Sequence, residues 1–185
     1  MGYKITVKQG NLLEEENATF IVNASNTRLI LGSGVSMSFK RHCGHELQEE
    51  MGFKLDAIGE ELRKGDIVAT SSANAKNFRY ALHVAIMDYN KGTKECNKYP
   101  ALNDIEIALE NIEPYLEWYA KEHTEPMKLV LPLLGCGTGG LDVCKVSNLY
   151  KSFLSRDVSF DCNVVIYGYS EKDYELIKSF MIPSS

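Results

Sequence analysis

No stretch of this chain is apolar for long enough to cross a membrane as a helix, and no secretory-leader pattern opens it. The expected setting is the cytoplasm, away from a bilayer. Positive charge is scarce: 20 Lys and Arg stand against 25 Asp and Glu, a net charge of −5. That balance argues against a groove tracking nucleic-acid phosphates, which needs clustered cations. It leaves room for one small phosphate compound, because backbone amides can supply positive potential locally. The five cysteines are odd in number and include no CxxC pair. They read as idle thiols of a reducing compartment rather than a disulfide framework. Cys43 lies close to His42 and His45, but a structural zinc wants four ligands at recognisable spacings, so no metal is expected. Neither glycine-rich loop closes with Gly-Lys-Ser/Thr, which excludes a P-loop. Repeats, low-complexity tracts and Pro/Ser/Gly linkers are absent too, so residues 1–185 are expected to form one domain. With 44% hydrophobic and 24% charged residues, its composition is that of an ordinary globular chain.

Two small-residue loops stand out instead: Gly32-Ser33-Gly34-Val35 and Gly135-Cys136-Gly137-Thr138-Gly139-Gly140. Each falls where a strand should hand over to a helix. Glycine leaves no Cβ to block a ligand, and a helix N-terminus offers free N–H groups, so each loop is a ready anion cradle. Two cradles in one domain suggest a diphosphate gripped from both sides.

Tyr3, Ile5 and Val7 alternate with polar residues and predict a half-exposed strand, while Phe20-Ile21-Val22 predicts one buried on both faces. Val35, Phe39 and Cys43 mark a short helix. Leu47, Met51, Leu55, Ile58 and Leu62 continue at helical spacing, with Gly52 and Gly59 expected to break the stretch. Strands are expected at Ile67–Ala69, Tyr80–Ile86, Leu129–Leu134 and Val164–Tyr167. Leu102, Ile105, Leu109, Ile112, Leu116 and Tyr119 trace a long helix that Pro114 should kink or end early. Asp142 is placed to cap a helix carrying Val146, Leu149 and Phe153, and Ser170 with Asp173 to open the closing helix. The alternation implies an α/β fold with helices on both faces of a sheet. Ligands of such sheets gather beyond the carboxyl ends of the strands, where both glycine loops, Asn26 and Tyr169 all fall. Gly135, Gly137 and Gly140 match a dinucleotide fingerprint, but too little chain follows for a dinucleotide fold.

Nearly the whole chain resembles the macro domain family. Six elements carry the likeness in order: Gly10-Asn11-Leu12-Leu13; Ile21-Val22-Asn23-Ala24-Ser25-Asn26; Leu31-Gly32-Ser33-Gly34-Val35; Tyr80-Ala81-Leu82-His83-Val84; Leu131-Pro132-Leu133-Leu134-Gly135-Cys136-Gly137; and Gly168-Tyr169-Ser170 through Tyr174. The resemblance implies a three-layer α/β/α fold around a mixed, mostly parallel sheet, and an ADP-ribose pocket without a resident cofactor. It places Asn11, with Leu12 beside it, at the adenine, where the family usually has an aspartate. Asn keeps an acceptor oxygen but loses the charge; read from the residues alone, it is an Asn turn after a strand. Tyr169 would stack on adenine, with core packing as the alternative. Asn26 would face the distal ribose and is the candidate catalytic residue, whereas Asn23 props the loop and His83 reads as a core histidine. Gly32, Ser33, Gly34, Val35 and Ser36 would line one side of the diphosphate, and Gly135, Cys136, Gly137, Thr138 and Gly139 the other.

Hydrolytic members resembling this chain carry an aspartate where Ser36 stands, or an aspartate in the second loop, here Gly139, with a lysine near Met87-Asp88. Neither pattern is present, and Lys91 and Lys94 read as a solvated charge run. Three functions stay open: an ADP-ribosyl hydrolase acting on mono-ADP-ribosylated targets or O-acetyl-ADP-ribose, a non-catalytic ADP-ribose reader, and an RNA or poly(A) binder. The implied partner is ADP-ribose or an ADP-ribosylated macromolecule, with nucleic acid only if it is ADP-ribosylated and no membrane. No exposed heptad or apolar stripe indicates an oligomeric state.

Overall fold

Phe20, Ile21 and Val22 point alternately to two faces, and all three are buried. The computed structural model, which describes residues 1–32, 34–90 and 97–182, threads this run through the middle of a six-stranded sheet. The elements are β1 (Gly2–Gln9), a 3-10 turn (Leu12–Glu14), β2 (Ala18–Asn26), α1 (Gly34–Cys43), α2 (His45–Ile58), β3 (Ile67–Ser71), β4 (Phe78–Met87), α3 (Leu102–Glu122), β5 (Lys128–Leu131), α4 (Val143–Leu154), β6 (Asp161–Gly168) and α5 (Glu171–Met181). The strands lie in the order β1-β6-β5-β2-β4-β3, all parallel except β3, which runs against β4.

The alternation sorts the core into two layers. Phe20 and Val22, with Leu82, Val84, Val164 and Ile166, pack under Ile105 and Leu109 of α3, Val146 of α4 and Ile177 of α5. Ile21, with Ala81, Val130 and Val165, meets Phe39 and Cys43 of α1 and Leu47 and Met51 of α2. The result is the expected α/β/α sandwich around a mixed, mostly parallel sheet. Asp142 and Ser170 cap α4 and α5, accepting from the backbone N–H groups of Lys145 and Asp173.

Three local expectations are corrected. Gly52 does not break α2: Leu47 and Met51 anchor that helix so deeply that the roughly 1 kcal/mol cost of an interior glycine is absorbed. Gly59 does end it as expected, as the left-handed C-cap at φ 74°, and Gly44, at φ 84°, separates α1 from α2. Pro114 does not end α3, which continues to Glu122. It lies on the exposed face, where the carbonyl that loses its partner meets water, while Ile112, Leu116 and Tyr119 hold the other face in the core. The fifth strand stops at Leu131 rather than Leu134, because Pro132 has no N–H to continue the ladder.

The link from β1 back to the start of β2 crosses the α1 side of the sheet and carries a buried carboxylate, Glu15. It accepts from Lys8 Nζ at 2.7 Å, Lys128 Nζ at 2.8 Å and Tyr167 Oη at 2.8 Å. Burial alone would raise its pKa, but the hydrogen bonds from Lys128, Lys8 and Tyr167 outweigh it and hold the group at about 2. One side chain so ties the crossover to β1, β5 and β6.

Candidate functional site

Because β1, β6, β5, β2 and β4 are parallel, their carboxyl ends form one edge in that order. Along it stand Gly10-Asn11, Gly168-Tyr169, the 132–141 loop, Asn26 with the loop into α1, and Met87-Asp88. The two glycine loops therefore leave adjacent strands, β5 and β2, and share one edge of the sheet.

At the β1/β6 end, Gly10 N–H donates to Gly168 O at 3.0 Å and draws the two turns together. A Cβ on Gly168 would lie 2.6 Å from the Tyr174 backbone nitrogen, so only glycine fits that approach of β6 to α5. The next residue, Tyr169, is 84% exposed, which rules out core packing for its ring. Asn11 forms the Asn turn: its Oδ1 accepts from Leu13 N at 3.0 Å. The Nδ2 hydrogens and a second oxygen lone pair are left for a ligand. Leu12 is buried in the α1-side core, so only its backbone can reach the site.

The second glycine loop is built on Tyr150, a fully buried residue of α4. Its hydroxyl donates to Pro132 O and accepts from Leu134 N–H at 2.9 Å. Gly135, at φ 80°, turns the chain, and its carbonyl accepts from Leu141 N at 2.9 Å. A Cβ on Gly139 would lie 2.6 Å from that same carbonyl. Cys136 N–H closes a turn onto Leu133 O at 3.2 Å, so its amide is committed within the loop, contrary to expectation. Burial first, then the charges of Asp173 and Asp142, push the Cys136 thiol up to about 12, so it stays protonated. Among the described residues, the amides of Gly137, Thr138 and Gly139 donate to no protein acceptor. A Cβ at Gly137 would meet nothing within 4 Å. Those three amides are ones that this loop leaves free.

On the adjacent strand's side stands the first turn of α1, whose Gly34, Val35 and Ser36 amides have no partner one turn earlier in the helix. Gly32 borders open space. Ser33 lies outside the described residues, as do Lys91, Lys94 and Cys96. Ser36 is buried and its hydroxyl points inward, donating toward Asn23 Oδ1 at 3.1 Å and Ala24 O at 3.0 Å. Only its backbone can therefore face a ligand. Asn26 winds the intervening loop around itself: Oδ1 accepts from Arg28 N and Ile30 N, and Nδ2 donates to Ile30 O at 2.9 Å. One Nδ2 hydrogen is left over.

His83 is fully buried, bonded to Asn23 and Thr70, and burial drops its pKa to about 3, so it is neutral. Cys43 lies in the core and burial pushes its thiol up to about 12, while His42 turns outward to Asn77. Among the described residues no group of three or more His, Cys, Asp or Glu is placed to hold a metal.

Sequence reasoning missed three supports of the site. Tyr150 was legible as the fourth residue after Val146 on the apolar face of α4. Gln48, which accepts from Leu31 N and donates to Leu29 O, both at 2.7 Å, left no local signal. Neither did Leu29, buried at a positive φ of 52°. Asp88 completes the β4 end: Oδ1 accepts from Thr27 Oγ1 at 3.0 Å and Asn90 N at 3.1 Å. A groove of about 800 Å3 runs between the 3-10 turn and α1, reaching Asn11 at one end and lined by Glu14, Arg41, His42, Lys76 and Asn77 among others.

The Macro domain family model matches residues 22–150. No curated protein sequence matches the chain significantly. Among solved structures, a mutant of the Oceanobacillus iheyensis macrodomain with ADPR is 21% identical with a TM-score of 0.73, over 96% of this chain and 91% of that one. The Trypanosoma brucei macrodomain in complex with ADP-ribose is 18% identical with a TM-score of 0.71, over 95% and 68%. The macro domain of ganglioside induced differentiation associated protein 2 is 19% identical with a TM-score of 0.72, over 98% and 86%.

Proposed function

We propose a function from the premise that this chain belongs to the macro domain family: it binds ADP-ribose along the carboxyl edge of its sheet. Adenine lies at the β1/β6 end against the Tyr169 ring and within reach of Asn11 and the Leu12 backbone. The diphosphate sits between the first-turn amides of α1 and those of Gly137, Thr138 and Gly139. The distal ribose extends over Asn26. The observation that carries this reading is the pair of free-amide walls leaving the adjacent strands β2 and β5, with an exposed tyrosine farther along the same edge. Solved macrodomains of the same fold described with ADPR and ADP-ribose add support. Calorimetry with ADP-ribose, using AMP and NAD as comparators, tests it. Saturable ADP-ribose binding is the expected result, and heats no different from buffer would overturn it.

Of the two modes of action, recognition without turnover is favoured by the site residues. Gly139 has no side chain, and the Ser36 hydroxyl is committed to Asn23 and Ala24, so neither position supplies a carboxylate base. Slow hydrolysis of a mono-ADP-ribosyl or O-acetyl-ADP-ribose linkage is the second reading. It rests on the spare Asn26 amide hydrogen and on orientation of a water by the ligand itself. Incubation with a labelled mono-ADP-ribosylated substrate at high protein concentration separates the two. The acidic balance leaves RNA or poly(A) binding the least supported, and steeply salt-dependent RNA binding would be needed to restore it.

A further inference from the structure

Ser36 opens a buried chain of hydrogen bonds whose direction can be read from its far end. Thr70 Oγ1 donates to Ser71 O at 2.9 Å, which uses its one proton. The His83 Nε2 contact to the same oxygen, at 2.8 Å, must then have histidine as donor. His83, neutral through burial, carries its proton on Nε2 and presents a bare Nδ1 to Asn23, 2.9 Å away. Asn23 therefore turns its Nδ2 toward His83 and its Oδ1 toward Ser36. Ala24 adds a carbonyl beside it. Two acceptors face position 36 and share the single Ser36 hydroxyl proton between them, so the place calls for a donor.

We propose that Ser36 is a positioning residue: by donating into the Asn23–His83–Thr70 chain, its hydroxyl clamps the first turn of α1 onto β2 and fixes the amides that face the diphosphate. The inference rests on the ADP-ribose reading and deepens it. Ser36 touches no ligand with its side chain; it acts through the helix that carries the amides. An aspartate at this position would set a carboxylate against two acceptors, so it would loosen the wall rather than equip it with a base.

The experiment compares the wild type with Ser36→Ala, Ser36→Thr and Ser36→Asp, each checked for folding by its thermal transition. ADP-ribose affinity is measured by calorimetry and adenosine affinity by NMR titration. Adenosine uses only the β1/β6 end, so a merely destabilised fold would weaken both ligands alike. The expected result is a loss of ADP-ribose affinity of about tenfold in Ser36→Ala, the equivalent of one hydrogen bond to the wall, with adenosine unchanged. Ser36→Thr, which keeps the hydroxyl, should restore most of the loss, and Ser36→Asp should bind more weakly than Ser36→Ala. Unchanged ADP-ribose affinity in Ser36→Ala, or wild-type affinity in Ser36→Asp, would overturn the positioning role. So would parallel losses for both ligands. Failure of the wild type itself to bind ADP-ribose would instead strike the underlying reading, which keeps the two outcomes apart.

Discussion

Gly137→Glu asks most of the amide-wall account. Gly137 is exposed, its φ lies outside the left-handed region, and a Cβ there would meet nothing within 4 Å. The fold has no steric or conformational reason to resist a side chain at this site, so the thermal midpoint should stay near that of the wild type. The new carboxylate, however, enters the space assigned to the diphosphate. At about 4 Å, two unit charges repel by about 1 kcal/mol in bulk water and about 4 kcal/mol at the effective dielectric of a protein surface. Against the two charges of a diphosphate, even the aqueous figure gives about 2 kcal/mol, which raises Kd roughly thirtyfold. Calorimetry with ADP-ribose should show that loss or complete absence of binding, whereas Gly137→Ala should retain affinity. Wild-type affinity in a folded Gly137→Glu variant would remove the diphosphate from this loop.

Tyr169→Ala should weaken ADP-ribose by about 1–3 kcal/mol, the worth of a base-stacking ring, without lowering the thermal midpoint; an unchanged Kd would detach adenine from that residue. Asn26→Ala should reduce any turnover of a mono-ADP-ribosylated substrate more than it reduces affinity, and equal losses in single-turnover rate and Kd would contradict a role specific to the distal ribose. For Glu15 the folded pKa of about 2 lies below the ordinary 4.5. Its stabilisation is therefore complete above pH 4.5 and fades as pH falls toward 2. Allowing for the half-exposed Lys8, it amounts to roughly 2–3 kcal/mol. Glu15→Gln should accordingly be less stable than wild type in urea at pH 7, with the gap much narrower at pH 2.5, and a gap independent of pH would contradict the linkage.

The layered fold was legible because its signals are local and repeated. Phe20-Ile21-Val22 announces a strand covered on both sides, and the 3.6-residue spacing from Leu102 to Tyr119 announces a long helix. Pro114 and Gly52 misled because their penalties are intrinsic and about 1–3 kcal/mol, while the burial that offsets them depends on partners distant in sequence. The glycines of the second loop were conspicuous, but their separate duties were not. Gly135 and Gly139 close the loop on itself, and Gly137 borders open space. Only coordinates distinguish these, because each duty is set by an atom elsewhere: the Gly135 carbonyl, Leu141, or nothing at all. The same holds for Ser36. Its residue type excluded a carboxylate base from the outset, but the buried acceptors that make a hydroxyl necessary come from β2, and their orientation is set through β4 and β3.

Titration of 15N-labelled protein with ADP-ribose, followed amide by amide, bears most directly on the two-walled cleft. The account predicts that Gly34, Val35 and Ser36 shift together with Gly137, Thr138 and Gly139, at one common Kd. Shifts confined to the groove around Arg41, His42 and Lys76, or to one wall alone, would contradict it.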